Sequence, residues 1–241
     1  MEVHHHAHSS RKKWTHYFWE FLMLFLAVFC GFLAENQREH MIEHRRAKQF
    51  AVSVVSDIKA DTAALNIAIG FGNKKIKAVD SLFAQLEQPK EKWKDTLIYN
   101  YEGSAGRVRP FELSSGTYEQ MKASGSLRYF KQELIDLLNQ YDAQAKKTKT
   151  REDIHLNYAS NLLNPFILQV MDARSLIQIQ DGAFPTHPLV FRKSDKETIA
   201  LWINYASVVQ STQERTVVEY NSMLAKAKQI ILALQKEYHL E

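Results

Sequence analysis

The sequence has one cysteine, five prolines and eight glycines in 241 residues, and each scarcity excludes something. A lone cysteine allows no internal disulfide. Because that residue, Cys30, lies in an apolar run, the rest of the chain has no thiolate nucleophile and must be held by packing alone. So few prolines and glycines mean few turns, which points to long helices. No glycine-rich phosphate loop or nucleophile elbow is present, so catalysis has no support in the sequence. Charge is not one-sided either. Setting aside the three basic and two acidic residues of the first 34 leaves 28 basic and 25 acidic, interspersed, too small an excess to imply nucleic acid.

What the chain does have is an apolar run, WTHYFWEFLMLFLAVFCGFLA, from Trp14 to Ala34. A bilayer core takes roughly 17–25 apolar residues in a helix, and the only charge between Tyr17 and Ala34 is Glu20. Trp14, Tyr17, Phe18 and Trp19 cluster at its start, where amphipathic rings favour the headgroup level. Arg11, Lys12 and Lys13 precede it and favour a cytoplasmic N-terminus, although Arg38, Arg45, Arg46 and Lys48 follow and pull the other way. Cleavage is not expected. Phe32 spoils an A-x-A-like site at Ala34, and Phe29 is too large to precede a lipidated Cys30. The expected organisation is a cytoplasmic tail over 1–13, a transmembrane helix over 14–34 and an extracytoplasmic helical domain over 35–241.

One face of the anchor is distinctive. Glu20, Leu24, Ala27, Gly31, Ala34 and Arg38 are spaced by three and four. Ala27, Gly31 and Ala34 make this a small-residue stripe that lets membrane helices approach closely, although such residues are common in these helices anyway. Glu20 is an intramembrane acid, the kind of residue that serves proton-coupled machines. So near the edge, however, it can reach water or pair with Lys12, Lys13 or His16.

Beyond the anchor, Ala51, Val55, Ile58, Leu65, Ile69, Ile76, Val79, Phe83 and Leu86 recur at helical spacing, with Thr62 and Gly72 filling the register. The expected fold is all-α: the membrane helix continues into an elongated antiparallel bundle of three long helices, near 35–87, 127–170 and 195–238, with short helical inserts. Gly70 and Gly72 mark a bend in the first, and Pro165 kinks the second or marks its last turn. The second takes its apolar stripe from Leu134, Leu137, Leu138, Tyr141, Ile154, Tyr158, Leu162 and Phe166. Ser194 and Glu197 form a capping box for the third, whose stripe is interrupted by the polar run Ser211 to Thr216. Residues 89–116 and 172–193, the latter containing Asp181-Gly182, connect rather than pack.

Three constellations could carry chemistry. His4, His5, His6 and His8 could bind a metal but have no acid nearby to complete a site. His40-Met41-Ile42-Glu43-His44 matches the H-x-x-E-H zinc pattern, with His40 and His44 on one helical face. It lacks a third ligand and sits among charges that suit a solvated helix, so no metal and no cofactor is expected. Between Thr117 and Leu127, Ser114, Ser115 or Thr117 can cap a short helix, Tyr118 and Met121 can pack, and Gly125 can turn left-handed before Leu127 docks. A pocket lined by Tyr118, Lys122, Arg128 and Tyr129 is the functional alternative for this segment.

These residues together resemble a family. RKKWTHYFWEFLMLFLAVFCGFLAE after a histidine-rich start is similar to the N-terminus of a group of uncharacterised single-pass bacterial membrane proteins. FELSSGTYEQMKASGSLRYF, Phe111 to Phe130, matches their F-x-L…T-x-x-x-L-K-x-S-G-x-L-R pattern with Met121 at the leucine position, and the ending KEYHLE fits as well. The resemblance implies a bacterial inner-membrane protein with an extracytoplasmic helical domain, and it supplies no catalytic residue. The expected function is therefore non-enzymatic: oligomerising, or scaffolding an envelope complex, with the bilayer and a second copy or another membrane protein as partners. A sensory bundle signalling through a partner and an accessory subunit of a proton-coupled machine using Glu20 are the alternatives.

Overall fold

A computed structural model describes residues 14–107, 109–114, 116–180 and 185–240. The histidines of the tail, Arg11 to Lys13, Ser115 and Asp181-Gly182 lie outside the described residues. The chain divides into two units, Met1–Gln49 and Phe50–Glu241. It is all-α: among the described residues no strand forms, and the one β-type pairing is an isolated bridge between Met171 and Phe191.

Helix α1, Trp14–Leu86, spans 73 residues without a break. Its first part is apolar enough to cross a membrane, and none of that apolar stretch is buried by the rest of the chain. Within the second unit α1 shows a regular seam. Ala51, Val54, Ile58, Asp61, Leu65, Ala68, Gly72, Lys75, Val79, Leu82 and Leu86 are all buried, and their spacing alternates three and four. This is the a/d pattern of helices packed side by side. The seam passes through Asp61, Gly72 and Lys75, where the apolar pattern lapses. The helix is continuous through Gly70 and Gly72. A Cβ on Gly72 would lie 2.5 Å from Val217 Cγ2, whereas one on Gly70 would meet nothing within 4 Å. Gly72 thus serves close helix approach.

The expected second helix is three pieces. Helix α4, Gln132–Tyr158, follows the short helices α2, Asp95–Ala105, and α3, Gly116–Ser124. A π-helical turn, Ala159–Leu163, then leads into α5, Asn164–Val170. Pro165 has no N–H to donate to the fourth residue back, and the wider turn just before it is how the helix absorbs the loss. The extra residue shifts the buried register to Ala159, Leu163 and Ile167, away from Leu162 and Phe166. Upstream, the expected stripe holds at Leu134, Leu138 and Tyr141, which are buried, and fails at Ile154 and Tyr158. Thr148, Glu152 and His155 point inward, while Ile154 is half-buried and Tyr158 exposed.

Helices α6, Ala173–Gln180, and α7, Lys196–Tyr238, complete the domain. The N-cap of α7 is Asp195, whose carboxylate accepts from the Thr198 amide at 2.9 Å, one residue beyond the expected Ser194. Its buried seam runs from Trp202 through Ala206, Val209, Gln213, Thr216, Tyr220, Met223, Ala227 and Ile230 to Leu234 without interruption, so Gln213 and Thr216 belong to it.

Cross-helix bonds give the directions. Asp61 meets Tyr141 and Lys75 meets His155, so α1 and α4 run the same way. Gln144 meets Glu219 and His155 meets Thr212, so α7 runs against α4. Simple up-down-up alternation is therefore not what forms. The chain returns along α1 before α4 begins, by way of an extended strap, residues 107 and 109–114, and then α3.

Candidate functional site

The strap and the polar seam residues under it make the most elaborate constellation in the domain. An extended segment leaves backbone groups without helical partners, and burying them unbonded is costly. Side chains of the long helices meet that need. Lys75 Nζ donates to the Arg107 carbonyl at 2.6 Å. Glu152 Oε1 accepts from the Phe111 amide at 2.7 Å, and Asp61 Oδ1 accepts from the Ser114 amide at 2.8 Å. Asp57 Oδ2 accepts from the Thr117 amide in the first turn of α3 at 3.1 Å. On their other sides Tyr141 donates to Asp61 at 2.7 Å and Tyr220 donates to Glu152. The sequence reading of 89–116 as a segment that does not pack is corrected here: its second half is stitched to the seam.

Beneath Arg107 lies a second network. Lys75 Nζ sits 2.9 Å from His155 Nε2, and His155 Nδ1 sits 2.8 Å from Thr212 Oγ1. Thr212 spends its own proton on the Val209 carbonyl at 2.8 Å, so its oxygen must accept from His155. The network assigns the proton of a neutral His155 to Nδ1 and leaves Nε2 to accept from the Lys75 ammonium. Glu102 is fully buried in the same region and accepts from Trp202 Nε1 at 2.9 Å.

Burial sets the electrostatics. It pulls Lys75 down to about 7, against the attraction of Glu102. It pushes Glu102 up to about 7, against the Trp202 hydrogen bond and the charge of Lys75. His155 is driven down to about 3 by burial and then by the neighbouring Lys75 charge. Asp61 is raised by burial, against its bonds from Ser114 and Tyr141. A cavity of about 20 Å³ borders Glu152 and His155, and one of about 30 Å³ lies beside Asp57, Tyr118 and Tyr141. Each has room for about one water molecule.

The candidates read from the sequence fall elsewhere. Ala27, Gly31 and Ala34 are exposed, and a Cβ on Gly31 would meet nothing within 4 Å. Cys30 is exposed on the same helix. Glu20 lies 3.1 Å from His16 Nε2, one of the partners expected for it. His40 is 3.9 Å from Glu43, and among the described residues no group of three His, Cys, Asp or Glu side chains is placed to hold a metal ion. Gly125 adopts φ 69° and ends α3 in the expected left-handed turn, Met121 is buried and Leu127 half-buried. Tyr118 bonds to Asn139 at 2.7 Å under the Lys122 ammonium. Arg128 lies over the Tyr129 ring, 5.0 Å from its centroid.

Sequence reasoning missed Asp61, Lys75, Glu102, Glu152 and His155. For all but Glu102 a signal existed: each continues a three–four spacing on its helix and so occupies a seam position while being polar. Compared with family models, curated proteins and solved structures, the chain matches none.

Proposed function

We propose that this chain is a single-pass, membrane-anchored helical protein without a catalytic role, which acts by associating with itself or by scaffolding other membrane proteins. The observation that carries the reading is the apolar start of α1, of which none is buried by the rest of the chain. Large side chains such as Trp14, Phe21, Met23, Val28 and Phe32 are more than 60% exposed there, a surface that water does not tolerate and lipid does. The basic flank at Arg11 to Lys13 and the family resemblance favour the bacterial inner membrane, with the N-terminus cytoplasmic and the helical domain outside. Ala27, Gly31 and Ala34 supply a face on which two such helices can approach closely. The buried polar seam fits a structural role, because polar a/d positions fix register and partner choice at a cost in stability.

Oxidative cross-linking at Cys30 in native membranes tests the association. Cys30 flanks the small-residue stripe, so a disulfide-linked dimer is expected, reduced several-fold by Gly31→Leu. A chain that stays monomeric at every expression level, while Cys30 still reacts with a thiol reagent, would sink self-association.

A further inference from the structure

Helices α4 and α7 line an open groove of about 520 Å³, which borders the His155 network at Thr212. This lies in the size range of small-molecule sites, roughly 300–1,000 Å³. The helices run antiparallel in the register set by His155 and Thr212, so Arg151 and Arg215 fall at one end of the groove. Ile154, Tyr158 and Val208 fall toward the other, with Ser211 between. Tyr158 and Val208 are 41% and 38% exposed, and Ile154 and Tyr158 are the residues whose sequence spacing had marked them for the core.

Two features give the groove a chemical preference. No carboxylate lines it, and the guanidinium groups of Arg151 and Arg215 have no ion pair within 4 Å among the described residues. Glu219 acts on Arg151 only through space, and its carboxylate is already held by Lys147 at 3.0 Å and Gln144 at 2.8 Å. The Ser211 and Tyr158 hydroxyls likewise have no hydrogen-bond partner among the described residues. The lining therefore offers donors and two positive charges at one end and apolar surface at the other.

We propose that this groove binds an oxyanion, a phosphate or carboxylate, carried on an apolar or aromatic body. The guanidinium forks hold the anion in the paired geometry they favour, Ser211 donates a further hydrogen bond, and the body lies against Tyr158, Ile154 and Val208. The inference goes beyond the anchor reading and does not depend on it. The anion can come from a dissolved metabolite or from the headgroup of an anionic lipid, since both present the same chemistry.

The test is calorimetric titration of phenyl phosphate into the full chain in nanodiscs of zwitterionic lipid, with inorganic phosphate and benzyl alcohol as comparators. Saturable binding is expected for phenyl phosphate, several-fold tighter than for inorganic phosphate, and none for the alcohol. The double substitution Arg151→Gln, Arg215→Gln should weaken it at least tenfold with thermal unfolding unchanged. Tyr158→Ala should bring phenyl phosphate down to the level of inorganic phosphate. No saturable binding, equal binding of benzyl alcohol, or full affinity in the double variant would overturn the proposal. Repeating the titration with phosphatidic acid in the nanodisc assigns the source: loss of phenyl phosphate affinity by competition supports a lipid headgroup, and unchanged affinity supports a dissolved ligand.

Discussion

Replacing Lys75 by methionine should destabilise the protein, and by more at pH 9 than at pH 6. In the native protein the two buried groups pull stability in opposite directions. Glu102 is raised from 4.5 to about 7, so the folded state holds a proton that the unfolded chain releases, and stability falls as pH rises from 4.5 to 7. Lys75 is lowered from 10.5 to about 7, so the unfolded chain holds the extra proton, and stability rises with pH from 7 to 10.5. Methionine removes that rise. It also removes the charge that draws Glu102 down, so the Glu102 loss extends further into alkali. The Arg107 carbonyl and His155 Nε2 lose their donor at any pH. Leaving a buried acceptor without its donor costs about 1–3 kcal/mol, and the larger total loss is expected at pH 9. The double variant Lys75→Met, Glu102→Gln should recover much of the loss and flatten the pH dependence, since Gln keeps an acceptor for Trp202. Thermal unfolding of the full chain in mild detergent, followed by circular dichroism, reads all of this. Equal losses at both pH values would mean that burial does not hold Lys75 below its ordinary value in the folded protein.

Gly72→Ala should be destabilising by about 1–3 kcal/mol, the usual cost of overpacking, even though alanine is the better helix former. The new methyl would sit 2.5 Å from Val217 Cγ2 and 2.8 Å from Gln213 Nε2. The glutamine end can swing away, but the β-branched valine is stiff at χ1. Val217→Ala in the same chain should therefore restore most of the stability. Gly70→Ala is the internal control: it meets nothing within 4 Å, so it should gain about 1 kcal/mol from helix propensity alone. The same thermal measurement separates the two, and destabilisation by both would point to a hinge in α1 instead of close packing at Gly72.

The all-α class and the positions of the long helices were legible in the sequence because periodicity carries them over many turns. The left-handed turn at Gly125 was legible because it depends on chemistry within three or four residues. Which face of α4 turns inward was not. Ile154 and Tyr158 read as core, yet His155 and Glu152 occupy the seam because Lys75, Tyr220 and the strap backbone satisfy them there. Those partners lie far away in sequence. The π turn before Pro165 moved the register by a residue, which a fixed 3.6 period does not anticipate. The strap escaped for the same reason as the polar seam: its bonds go to carboxylates on α1 and α4, and proline and glycine content alone marks it only as a connection.

The central claim is that residues 14–34 hold the chain in a bilayer with the helical domain outside the cytoplasm. Its most direct test is accessibility. In a Cys30→Ser background, single cysteines at Ser9 and at exposed Glu87 are probed with a membrane-impermeant maleimide in bacterial spheroplasts, and the membranes are then washed with alkaline carbonate. The account predicts labelling at position 87 in intact spheroplasts, labelling at position 9 only after lysis, and protein retained in the washed membranes. Labelling at position 9 before lysis, protection of position 87, or release of the protein by carbonate would contradict it.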